Sequence, residues 1–169
     1  MRKNFVLLLV ACVFAACGVT THTNGSSSGH LSKAEQREQL ARQVRQQLDE
    51  RRYRIDVDMM YPLGYPPRHV TPDFGLEVVG ASINSYLPYL GRVYALPYGG
   101  GRGLNFAGAV SSYQSSSVGS DLTRIVFGFE NEEDRYVFTI EVFDNGRATI
   151  DVRSQNRDKI SFSGMLDTF

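Results

Sequence analysis

Past residue 17 the chain has no cysteine; its only two, Cys12 and Cys17, lie in an apolar leader. A body without thiols can hold neither a disulfide framework nor a thiolate metal site. Tryptophan is absent and histidine occurs three times, at His22, His30 and His69. Only His69 falls within the folding part, and no His, Asp and Glu stand at metal-ligand spacings, so neither metal nor cofactor is expected. The acidic run Glu130, Glu132, Glu133, Asp134 lacks the spaced pattern of a calcium loop and reads as a solvated hairpin tip. Neither sign of charge dominates: 18 basic residues face 18 acidic ones, and without Arg2 and Lys3 of the leader the balance is 16 against 18. That balance excludes the basic face a nucleic acid requires and the polybasic segment an anionic membrane surface attracts. There is no Gly-x-Ser-x-Gly turn and no cysteine nucleophile in the body, which leaves the reading inclined against an enzyme.

What is present starts with Arg2-Lys3 and an apolar run over residues 5–16. That run is too short for a bilayer, which takes about 20 residues, and suits a secretory leader. It closes on Ala15-Ala16-Cys17, which resembles a bacterial lipobox, with Cys17 as the lipid-attachment residue. Leu9-Val10-Ala11-Cys12 also fits the pattern but would leave too short an apolar core. The organisation expected is a lipoprotein signal peptide over 1–16, a flexible Gly/Ser/Thr-rich tether over 17–30 and a single α+β domain over 31–169.

Residues 31–52 hold the only helical pattern. Ser32 and Glu35 form a capping box, and Leu40, Val44 and Leu48 recur four apart as an apolar stripe. Thereafter the periodicity is two. Tyr53, Ile55, Val57, Met59 and Tyr61 alternate with polar neighbours. A hairpin pivots on Gly80-Ala81, and strands follow over 109–116, 122–130, 135–143, 147–154 and 159–166. The pair around Asn145-Gly146 is the firmest, because Asn-Gly supplies the positive φ of a tight turn. A helix of about 10 Å width covers two or three strands spaced about 4.8 Å apart, not eight. The fold class is therefore α+β and mostly β: one N-terminal amphipathic helix on a strongly curved antiparallel sheet of about eight strands, half-barrel or sandwich-like. Val137 and Phe143, on the alternate face of their strand, suggest some burial on both sides.

The candidate site is the stretch 86–106, YLPYLGRVYALPYGGGRGLNF. Tyr86, Tyr89, Tyr94 and Tyr98, interleaved with prolines, can present rigid amphipathic rings to a partner protein or glycan. Equally, they can pack on their own sheet and bond to loop backbone. Arg92 and Arg102 belong to the same candidate surface. Gly99-Gly100-Gly101-Arg102-Gly103 lacks the Lys-Ser/Thr of a phosphate loop, though its N–H groups could form an anion nest. A curled sheet could instead carry a small apolar or lipid-like ligand. Asp56 and Asp58, two apart on one strand face, are the one paired-carboxylate arrangement a hydrolase could use.

The lipobox leader, Met60-Tyr61-Pro62, Tyr86-Leu87-Pro88-Tyr89-Leu90-Gly91-Arg92, Tyr98-Gly99-Gly100-Gly101, Leu104-Asn105-Phe106 and Ile160-Ser161-Phe162-Ser163-Gly164 resemble a family of Bacteroidetes-type envelope proteins. It is the domain-of-unknown-function family numbered 4251. The resemblance spans residues 46–167. It implies a secreted or lipid-anchored envelope protein and carries no assigned activity or catalytic residues. In such bacteria an acidic patch after the lipidated cysteine routes lipoproteins to the cell surface; residues 18–23 carry no acid, so the resemblance implies an outer-membrane lipoprotein facing the periplasm.

Overall fold

The computed structural model describes residues 32–95 and 101–168. The leader, the tether, Cys17, His22, His30 and Tyr98 therefore lie outside the described residues. Helix α1 runs from Lys33–Asp49 and starts at the expected cap: Ser32 Oγ accepts from the Glu35 N–H at 3.2 Å, and the Ser32 N–H donates to Glu35 Oε2 at 2.8 Å. Hydrogen bonding to the Glu35 carboxylate, from the Ser32 N–H chiefly and from the Ser32 side chain, holds its pKa below the ordinary value.

Among the described residues ten strands follow: β1 Arg52–Pro62, β2 Arg68–His69, β3 Gly75–Val79, β4 Ser82–Leu87, β5 Leu104–Ala109, β6 Ser111–Val118, β7 Leu122–Glu130, β8 Arg135–Phe143, β9 Arg147–Ser154 and β10 Ile160–Leu166. They form one antiparallel sheet in the order β5-β4-β3-β1-β10-β9-β8-β7-β6, with β2 paired beside β1. The two ends of that order, β5 and β6, are joined by Val110 alone, so the sheet curls into a nearly closed barrel. This is the curling that the width of a single helix demands.

The inward faces fill the barrel. Tyr53, Phe127, Tyr136, Phe138 and Phe162 are all buried, together with Ile55, Ile125, Ile140 and Ile150. Phe127 stacks on Phe138 with ring centroids 5.0 Å apart, and Phe106 stacks on Phe129 at 4.4 Å. Ala148, Ile150 and Val152 point inward as their alternation predicts, and Gly146 turns the β8–β9 hairpin at φ 81°. Val137 and Phe143 stand on the exposed outer face of β8, so burial on both sides of that strand is not found.

Strand β1 departs from its simple pattern halfway along. A bulge between Val57 and Met59 shifts its register against β10. Tyr61 is consequently exposed while Met60 packs on the core, the reverse of strict alternation. Gly164 makes the bulge possible. A Cβ there would be driven into the Asp56 carbonyl and would stand 2.9 Å from Val57 Cα, so β10 approaches β1 only where a side chain is missing.

The two barrel ends are finished differently. The β3–β4, β6–β7 and β8–β9 turns gather at one end, and α1 lies there: Val44 and Leu48 are buried, Arg45 pairs with Asp144 and donates to the Ser120 carbonyl, and Gln47 donates to the Asp167 carbonyl. The loops over 63–67, 70–74, 88–95, 101–103, 131–134 and 155–159 gather at the opposite end.

Candidate functional site

The loop end is organised by the β9–β10 connection. Val93 forms an isolated antiparallel bridge with Arg157; the Tyr94 N–H donates to the Asn156 carbonyl at 2.7 Å, and the Asp158 N–H donates to the Arg92 carbonyl at 3.0 Å. The Asp158 carboxylate accepts from the Arg92 N–H at 3.1 Å and, on its other oxygen, from the Tyr94 hydroxyl. Both bonds favour its charged form and hold its pKa below the ordinary carboxylate value, Tyr94 contributing most; Tyr94 itself is raised by the same bond. The Tyr89 hydroxyl lies 2.9 Å from the Arg92 carbonyl and 3.1 Å from the Asp158 carbonyl, either of which accepts its proton. Burial raises the Tyr89 pKa, and the Arg157 guanidinium sits 5.7 Å from its ring centroid.

Beneath this bridge is a buried ion cluster. The Arg157 side chain is 3 % exposed; it pairs with Glu133 at 2.9 Å and approaches Asp134 Oδ2 at 3.4 Å through an Nε that makes no hydrogen bond. The Asp134 side chain is fully buried. Its Oδ1 accepts from the N–H groups of Arg135, Gln155 and Asn156, and its Oδ2 accepts from Ser154 Oγ at 2.7 Å. The reading of 130–134 as a solvated tip is thus corrected. Glu130 pairs with Arg135 in solvent, but Asn131 Oδ1 accepts from the N–H groups of Glu133 and Asp134 and turns the chain. That turn delivers Glu133 and Asp134 to Arg157.

Glu133 also accounts for part of the glycine run. Its carboxylate accepts from the Arg102 N–H at 3.1 and 3.2 Å, so this N–H serves an internal anion. A Cβ on Gly101 would stand 3.0 Å from both the Arg157 guanidinium and the Glu133 carboxylate, which explains a glycine at that position.

Above the cluster lies a groove of about 450 Å³, bordered by Phe74, Tyr86, Pro88, Tyr89, Arg102 and Asn105. Tyr86 is 47 % exposed and stacks on Phe74 with centroids 4.9 Å apart. The structure therefore brings Tyr86, Tyr89 and Arg102 to one groove. Arg92 and Tyr94 flank it on the Asp158 bridge, Tyr94 with 65 % of its surface exposed. Phe74, Arg157 and Asp158 are not singled out by any local motif in the sequence, and Glu133 and Asp134 are read there only as part of a solvated tip. A larger groove of about 540 Å³ runs between α1 and the β8–β9 turn, but Arg45 and Arg42 on its border are paired to Asp144 and Glu38.

Asp56 and Asp58 do not form a facing pair. Asp56 binds Arg54 at 2.6 Å, whereas Asp58 sits in the bulge and accepts from Ser163 Oγ at 3.2 Å. His69 is exposed on β2, and among the described residues no three His, Cys, Asp or Glu gather to hold a metal.

Fold and groove together define a helix-capped antiparallel barrel carrying a tyrosine-lined surface at its loop end. The model of the Domain of unknown function (DUF4251) family matches residues 35–166, and the chain belongs to that family. Among solved structures it is similar to the crystal structure of a DUF4251 family protein from Bacteroides eggerthii DSM 20697, at 16 % identity and a TM-score of 0.60, covering 75 % of this chain and 86 % of that one. At this identity the likeness speaks for the fold alone. A comparison with curated proteins found no match.

Proposed function

We propose that the protein is a non-catalytic binding module of the cell envelope, anchored by lipid at Cys17 on the periplasmic side of the outer membrane, whose loop-end groove takes a partner protein segment or a glycan. The observation that carries this reading is the Tyr86–Phe74 stack. It sets the half-exposed ring of Tyr86, near the end of β4, on the partly buried ring of Phe74 beside a groove, where a flat apolar face can be covered at little cost in side-chain entropy. The bonds from Tyr89, Arg92 and Tyr94 to the β9–β10 loop support it further, because they hold the neighbouring surface in one shape before anything binds. The carrier reading has less support. The aromatic and branched side chains that fill the barrel occupy the space an internal ligand would need.

Photo-crosslinking from position 86 tests the proposal. Benzoylphenylalanine in place of Tyr86, in the full chain within intact envelopes, should yield a discrete adduct. The same residue in place of Val137, exposed on the far wall of the barrel, should not. Adduct patterns identical at the two positions would remove the groove as the binding surface.

A further inference from the structure

Every strand pair in the sheet is antiparallel, so β5 and β6, eight steps apart in the strand order, run in the same direction. With only Val110 between them they form one long strand over 104–118. Its first half pairs with β4 and its second half with β7. The barrel is closed by this change of neighbours, and the change leaves a consequence at the helix end. The β4 strand stops at Ser82, opposite Ala109, and the Val110 N–H makes the last bond on that side, to the Ala81 carbonyl. Beyond it, the edge of β6 that faces away from β7 has no strand partner among the described residues.

Unpaired edges of soluble proteins are commonly guarded by lysine, proline, a bulge or an inward charge. A bulge with Ser112 at φ 51° does interrupt the start of β6, between Ser111 and Gln114. From Gln114 to Val118 the strand is regular, and it is mostly exposed. It lies in an uncharged, proline-free run from Gly103 to Ser120. The nearest charge on β7, Arg124, is committed to Glu141 at 2.8 and 3.0 Å.

We infer that this edge pairs antiparallel with the same edge of a second copy of the chain, about a two-fold axis at Ser116. Self-pairing about Ser116 sets Ser116 against Ser116, Ser115 against Ser117 and Gln114 against Val118. No pair places like charges together, and facing serines can exchange hydroxyl hydrogen bonds. A foreign strand would need side-chain pockets along the edge to be selected. The serines of β6 build none, whereas their uniform neutrality suits a strand of identical sequence. The regular stretch is short, so the association is weak in dilute solution and strengthened wherever the chain is concentrated.

Disulfide trapping in the full chain tests this. Opposed Cα atoms of an antiparallel pair stand about 4.5–5.5 Å apart, within the roughly 4.4–6.8 Å that a disulfide spans. Ser116→Cys should therefore give a reducible dimer of twice the chain mass at an oxidant level where Val137→Cys, on the outer face of a strand paired at both edges, remains monomeric. The Val137→Cys chain retains Cys12 and Cys17 and so measures their background. Adding Gln114→Lys and Val118→Lys sets lysine against lysine across the axis and should abolish the dimer, with the far-ultraviolet circular dichroism unchanged. Dimer from Ser116→Cys no greater than from Val137→Cys overturns the inference. So does a crosslinked product of any other mass, which would place a foreign strand on this edge.

Discussion

Substituting Asp134 separates a buried anchor from its solvent-exposed neighbours in the same acidic run. Asp134→Ala removes the acceptor of three backbone N–H groups and of Ser154 Oγ, and it leaves Arg157, 3 % exposed, with Glu133 as its remaining ion-pair partner. Breaking a buried ion pair from one side costs about 3–5 kcal/mol, because the surviving charge stays desolvated. For a domain of this size, a urea slope of roughly 2 kcal/mol per M turns that cost into a midpoint lower by about 2 M. Asp134→Asn keeps an oxygen for the three N–H groups but loses the charge and puts an NH2 where Oδ2 accepts from Ser154 and faces Arg157, so it should fall between, at about 1–3 kcal/mol. Glu130→Ala is the internal control: its pair with Arg135 stands in water, with both side chains more than half exposed, and the midpoint should not move. The assay is urea unfolding followed by circular dichroism, with an unchanged slope as the sign that all three variants share one native state. An Asp134→Ala midpoint indistinguishable from that of Glu130→Ala would refute the ion cluster as the support of the loop end.

The Asp158 clamp should fail in acid. Its folded pKa lies below the ordinary value of 3.8, so its contribution is present above that value and is lost as the pH falls through the depressed one. The Arg92 amide, which donates to Asp158, should report this by nuclear magnetic resonance as a titration below pH 3.8 that Asp158→Asn abolishes; a midpoint above 3.8 would contradict the hydrogen-bond account. For the anchor, metabolic labelling with palmitate should mark the chain and disappear on Cys17→Ser, and label surviving that change would move the attachment elsewhere.

Features that depend on neighbours in sequence were legible in advance. The Ser32–Glu35 cap closes within one turn, Asn145-Gly146 closes a hairpin locally, and curling follows from one helix facing many strands. Features that depend on distant partners were not. The bulge at Asp58 requires the missing side chain of Gly164, more than a hundred residues away. Glu130 and Asp134 look alike as letters, and only the turn at Asn131 and the arrival of Arg157 make one exposed and the other buried. Strand β5 was hidden because Leu104, Asn105 and Phe106 follow a glycine run whose composition reads as loop. For the candidate surface, spacing alone left packing and binding open. The structure shows why both were reasonable: Tyr89 is tied down by its hydroxyl, while the rings of Tyr86 and Tyr94 remain in solvent.

The contrast between the barrel ends bears most directly on function. Helix α1 finishes one end with an apolar stripe, the ordinary solution for a core of this width. The other end is finished by Arg157, Glu133 and Asp134 under a bridge to residues 92–94. Buried ion clusters are seldom more stabilising than apolar residues of equal volume, so stability alone does not account for one here. What such a cluster adds is direction. Each charge takes only certain partners at certain angles: Glu133 holds Arg157 and the Arg102 N–H together, and the bridge at Val93 ties residues 92–94 to the same loop. Tyr86 and Arg102 then border the groove from positions set by the fold. Under the proposed function, that fixed geometry is what lets the surface meet a partner without the cost of first ordering its own loops.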